Sequence, residues 1–166
     1  MLRHTGLARR TVRAAVICWT MAAASAQAAD LSVCITPREA TAFSLRHLQS
    51  RLMVAGLACN QRDAYNKFVE VFRPHLADAG GDLIGYFKRS GGGQAALNRY
   101  VTELANVAGL RRAENPEGFC HGTWNTFLHL DDEPSALEAQ AAAQVMEGIG
   151  APALCAAVPN SAQTAK

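Results

Sequence analysis

A chain of 166 residues has room for one domain with one core rather than several. Its formal net charge of +2 does not mark a nucleic-acid binder, because four of its sixteen basic residues, Arg3, Arg9, Arg10 and Arg13, lie within the first 28 positions. Beyond them 12 basic face 14 acidic residues, a net −2, and no later stretch interleaves Lys and Arg with aromatics as a nucleic-acid surface does.

Those first 28 residues read as a secretory signal peptide: arginines, an apolar run from Ala14 to about Ala26, then small residues. The run falls short of the roughly 20 apolar residues that cross a bilayer, which argues against an N-terminal anchor. Cys18 and Cys34 follow Ile17 and Val33, not the small residue that precedes a lipid-modified cysteine. Ala-x-Ala occurs at Ala24 to Ala26 and again at Ala26 to Ala28, and cleavage is expected after Ala28. The expected organisation is a signal peptide over 1–28, a single helical domain over 29–156 and a disordered tail over 157–166. The expected location is a bacterial periplasm or the medium, with no membrane span after cleavage.

The brief "LSVCI" is the only β-rich fragment. "TPRE" then has the form of a capping box, with Thr36 as N-cap, Pro37 at the first helical position and Glu39 reaching back. Phe43, Leu45, Leu48, Leu52 and Ala55 extend it as a helix over 37–58. The chain restarts at Asn60 to Asp63, and Tyr65, Phe68, Val69, Phe72 and Leu76 form a second stripe, which Pro74 must bend or break. Gly80-Gly81 reads as a C-cap, followed by a short helix over 82–89. The run Gly91 to Gly93 lacks both the Lys-Ser/Thr ending of a phosphate loop and a preceding strand, so it reads as a connection between helices.

Leu97, Tyr100, Val101, Leu104 and Ala108 give a helix over 94–112, with Arg111-Arg112 as its basic end. "ENPEG" reads as a turn, and a helix over 119–130 follows with Trp124, Phe127 and Leu128 as core anchors. Asp131, Asp132 and Glu133 precede a last helix carrying Leu137, Ala141 and Val145 on one face and ending near Gly148 and Gly150. Without sustained apolar-polar alternation, the fold class is all-α: a compact bundle of five or six helices.

Four cysteines follow the signal, Cys34, Cys59, Cys120 and Cys155. An even number in an exported chain is a disulfide framework. Their separations of 25, 61 and 35 residues include no Cys-x-x-Cys and none of the short spacings of structural zinc sites. Three pairings are possible. Helix ends favour Cys59 with Cys120 and Cys34 with Cys155, making Cys59 an anchor rather than a reactive thiol.

His121 beside Cys120 resembles a thiol with its base, but a disulfide would silence that sulfur. His47, His75, His121 and His129 include no pair at the three- or four-residue helical spacing of a two-histidine metal site. The acids at Asp131 to Glu133 are accounted for by a helix start. Polar residues within apolar stripes are the candidate ligand site: Tyr65 and Asn66, then Asn98 and Arg99, with Tyr100 and Asn106 beside them. Such groups either line a pocket or fix which helices pair.

In "SLRHLQSRLMVAGLAC", "YNKFVEVFRPHL", "YFKR", "LNRYVTELAN" and the later "FC", the chain resembles a family of small exported proteins of alphaproteobacteria, over about residues 42–120. The resemblance implies a helical periplasmic domain, supports the pairing of Cys59 with Cys120, and brings no catalytic residues. Some members carry the label S-adenosyl-L-homocysteine hydrolase. That enzyme binds NAD on a doubly wound sheet with a Gly-x-Gly-x-x-Gly turn, and this sequence has neither, so the label is not carried over. The expectation is an envelope protein without cofactor or metal. It would act by binding a protein or small molecule, or as a structural module. The alternative is an envelope enzyme of unfamiliar type that uses His121 or the acids Asp131 to Glu133.

Overall fold

The structure, a computed structural model, describes residues 33–143, 149 and 152–155. The signal peptide and the tail over 157–166 lie outside the described residues. The chain divides into units over 1–30 and 31–166, and everything described belongs to the second. Among the described residues there are six α-helices and no strand, and no helix is long and apolar enough to cross a membrane.

Helix α1, Pro37–Ala58, begins at the expected capping box. The Thr36 hydroxyl accepts the Glu39 amide at 3.2 Å, and the Glu39 carboxylate accepts the Thr36 amide at 2.9 Å. The same carboxylate takes both terminal nitrogens of Arg89 at 2.8 and 3.0 Å. That contact, with the bonds from Thr36, holds its pKa below the usual carboxylate value despite the opposing effect of burial. The start of α1 is thereby tied to the end of α3.

The other helices all pack on α1. This explains why its buried residues, among them Phe43, Leu45, His47, Leu48, Ser50, Leu52 and Ala55, do not keep to one stripe. The helix closes at Cys59, and Asn60 takes a left-handed conformation with φ of 58°, a position that Asn tolerates better than most residues. The reversal brings α2, Arg62–Val71, against α1 at Gly56, where a Cβ would lie 3.1 Å from that of Tyr65.

Pro74 breaks the second stripe as expected. Helix α2 ends at Val71, and α3, Arg73–Arg89, starts with Pro74 in its first turn, where a missing N–H costs no hydrogen bond. The expected stop at Gly80-Gly81 is overturned, because α3 runs through both glycines. Each costs about 1 kcal/mol in a helix interior, whereas Leu76, Ala79, Leu83 and Tyr86 form an unbroken buried stripe across them. Gly80 is also a packing residue, since a Cβ there would lie 3.3 Å from the Arg46 guanidinium.

The glycine run is a connection, with positive φ at Gly91 and Gly93. Helix α4, Gly93–Glu114, ends on Arg111 and Arg112. Helix α5, Pro116–Asp132, starts three residues earlier than expected, because Asn115 caps it by accepting the Gly118 amide at 3.0 Å and Pro116 takes the first position. A 3-10 turn, Pro134–Ala136, leads into α6, Leu137–Ala142. Leu137 and Ala141 are buried as expected, while Val145, Gly148 and Gly150 lie outside the described residues.

Both favoured disulfides are present. Cys59–Cys120 joins the end of α1 to the first turns of α5, and Cys34–Cys155 joins the two ends of the unit. Beside the second, Ile35 and Leu154 form a single parallel bridge: the Ile35 amide donates to Ala153 at 2.8 Å, and the Cys155 amide donates to Ile35 at 2.9 Å. The larger core cluster centres on α1 and includes Phe43, Leu48, Leu52, Phe68, Leu83 and Phe127. A smaller one, Ala55, Ala108 and Phe119, packs around the Cys59–Cys120 bridge.

Candidate functional site

Not every apolar residue of α5 reaches the core. Phe127 is buried, but the expected anchors Trp124 and Leu128 are 44% and 47% exposed, which corrects that expectation. They stand four residues apart on a neighbouring face, while Phe119, Thr123, Thr126, Phe127 and Leu130 take the inward one. Val71 at the end of α2 is likewise 49% exposed.

These three side chains line one groove of about 550 Å³ between α2 and α5, with Pro134 also in its lining. Buried Phe68, Phe72, Phe127 and Leu130 also line it. Its polar residues are Asn60, Gln61, Asp63, Lys67 and Asp131. Lys67 of α2 donates to Asp131 of α5 at 2.7 Å, linking the two walls. Gln61 is structural: its amide donates to the Cys120 carbonyl at 2.8 Å, and its oxygen accepts from the buried Thr123 hydroxyl at 3.0 Å. The disulfide at the same junction joins Cys59, just before α2, to α5. A groove of this size, mostly apolar with a few polar groups, has the character of a small-molecule site.

The residues singled out from sequence lie elsewhere. Tyr65 is half-buried and stacks on Phe68 with ring centres 6.3 Å apart. Asn66, Asn98 and Arg99 are exposed, and Asn98 accepts from Gln94 one turn earlier at 2.8 Å. None of the four lines the groove, and among the described residues no hydrogen bond joins the α2 pair to the α4 pair. Tyr100 is more enclosed. Burial pushes its hydroxyl pKa well up, and that hydroxyl has no hydrogen-bond partner.

Cys120 is in a disulfide, so His121 has no thiol to activate. His121 is exposed, 3.4 Å from the Asn125 amide nitrogen. It stands ten residues from Asp131 on α5, about 15 Å along the axis. Asp131 pairs with Lys67, Asp132 is exposed, and Glu133 accepts from Ser135 at 3.4 Å. Among the described residues no three His, Cys, Asp or Glu side chains converge as metal ligands.

A second electrostatic feature lies against α1. His47 is buried, its Nδ1 has no hydrogen-bond partner, and its pKa is lowered by burial first and then by the positive charges of Arg111 on α4 and Arg51 on its own helix. Arg51 stacks over the Phe119 ring at 5.8 Å. The fold therefore holds His47 neutral while the unfolded chain protonates it near its ordinary 6.5. Below that pH the unfolded state binds more protons, so stability falls from about pH 6.5 down to the lowered native value. Melting temperatures between pH 7.5 and 5 should show this decline, and His47→Gln should flatten it. An equal slope in the variant would assign the decline to other groups.

No protein-family model matches the chain, and neither a curated protein nor a solved structure matches it significantly.

Proposed function

We propose that this chain is an exported envelope protein, of the alphaproteobacterial family it resembles, that binds a small apolar ligand in the groove between α2 and α5 and does no chemistry on it. The observation that carries the reading is the grouping of half-exposed Val71, Trp124 and Leu128 around about 550 Å³ of space. Exposed apolar side chains scattered singly are ordinary, but a contiguous group along a groove is a feature of interaction sites. Two disulfides fit an oxidising compartment, and both join cysteines that lie after the expected cleavage at Ala28. The enzymatic alternative gains nothing from the geometry, which keeps His121 out of the groove and about 15 Å along α5 from Asp131.

The sequence supplies its own reporter. The chain has two tryptophans, Trp19 in the signal segment and Trp124 in the groove, so a product beginning at Ala29 has Trp124 as its sole tryptophan, which excitation at the red edge of indole absorption reads without its tyrosines. Protein recovered from a periplasm, with its start verified by intact mass, would be titrated with the neutral probe N-phenyl-1-naphthylamine. Saturable one-to-one quenching of Trp124 is expected, weakened about tenfold or more by Leu128→Ser or Val71→Ser, because each removes a methyl-bearing wall. Absence of saturation, or binding indifferent to both substitutions, would refute the groove as the site.

A further inference from the structure

The ligand class can be narrowed, on the basis of the groove reading above. We infer that the groove selects amphiphiles with a cationic head, such as alkylammonium compounds, over anionic ones of equal length.

The charges in its lining are two carboxylates, Asp63 and Asp131, and one ammonium, Lys67. Lys67 is engaged by Asp131 at 2.7 Å. Asp63 is exposed and has no salt bridge or hydrogen bond from any described side chain. The lining thus carries a net charge of −1, with its unpaired member a carboxylate. An anionic head would meet that charge and would have to draw Lys67 from its partner. A cationic head meets Asp63 directly.

The apolar lining adds to the same preference. Phe68, Phe72, Trp124 and Phe127 contribute four aromatic rings. The faces of aromatic rings attract cations, that of indole most strongly, and Trp124 is the half-exposed ring of this lining. A quaternary ammonium is held by this interaction without needing a hydrogen-bond acceptor. Valine and leucine at Val71, Leu128 and Leu130 provide the surface for an alkyl chain. An apolar ligand with no charge would use only the second half of this arrangement, and an anionic one would use it against the first.

The test compares three eight-carbon probes on the disulfide-bonded protein: octyltrimethylammonium, 1-octanol and octanoate at pH 7, each followed by Trp124 emission with far-UV circular dichroism as the control for folding. The ammonium is expected to bind about tenfold or more tighter than octanoate, with octanol between them. Asp63→Asn should remove most of that ratio. Lys67→Gln frees Asp131 and should widen it, so the two exposed substitutions move the selectivity in opposite directions. Equal binding of the ammonium and octanoate, or a ratio untouched by both variants, would overturn the cationic preference while leaving an apolar groove in place. If no probe shifts Trp124 emission, the groove reading falls with it.

Discussion

Replacing Cys59 and Cys120 together by alanine should lower the stability of the fold by about 4 kcal/mol. The bond closes a ring over a separation of 61 residues, and the entropy withheld from the unfolded chain by a ring of that length corresponds to about 4 kcal/mol. The local cluster is only Ala55, Ala108 and Phe119, supported by the bonds of Gln61 to the Cys120 carbonyl and the Thr123 hydroxyl. Against a typical stability of about 5–15 kcal/mol, the double variant would be marginal or unfolded at growth temperature. Guanidinium denaturation of both proteins measures the difference. A loss below about 1 kcal/mol would mean that the packing at this corner, rather than the cross-link, holds α5 to α1.

The second large effect is expected at Phe43. Its side chain is 2% exposed and meets the rings of Tyr86 on α3 and Tyr100 on α4 edge-to-face, both at 5.2 Å, with Phe87 at 6.1 Å. One residue of α1 therefore organises two neighbouring helices. Phe43→Ala removes buried area and edge-to-face contacts together and leaves a cavity between rigid rings, which places the cost at about 3–5 kcal/mol. Phe43→Leu keeps most of the volume and should cost less than half as much. The comparison in urea separates volume from ring geometry. If leucine and alanine cost the same, the stabilisation lies in the edge-to-face contacts rather than in filling the space.

Local rules were the legible part of this fold. The bounds of α1 followed from a capping box and a cysteine, both of which act within a few residues of where they stand. Pro74 was equally readable, because its effect on the backbone depends on no neighbour. The cysteine pairing followed from placing helix ends near each other in a small bundle. Gly80-Gly81 misled because the propensity of glycine to end a helix is weak beside the burial of Leu76, Ala79, Leu83 and Tyr86, which only the tertiary structure reveals.

The groove was hidden for a related reason. Trp124 and Leu128 look like core residues because they are large and apolar, and α5 has more apolar positions than one inward face can hold. An apolar arc wider than a single packing seam was the available signal, and Val71 beside the Phe68 and Phe72 stripe repeats it on α2. Tyr65, Asn66, Asn98 and Arg99 attracted attention because polar side chains interrupt apolar runs. Three of them simply turn outward, as the helical period allows.

The two cross-links are nested: the ring from Cys59 to Cys120 lies wholly inside the ring from Cys34 to Cys155. A peptide bond cut anywhere between Cys34 and Cys155 therefore leaves the fragments covalently joined, and a pull on the two termini passes through the outer sulfur bridge without loading the helices. Only chain before Cys34 and after Cys155 can lengthen under tension. The bundle is in effect a closed link, mechanically bypassed by its own clasp, and would keep its shape while either end of the chain was tethered, stretched or trimmed.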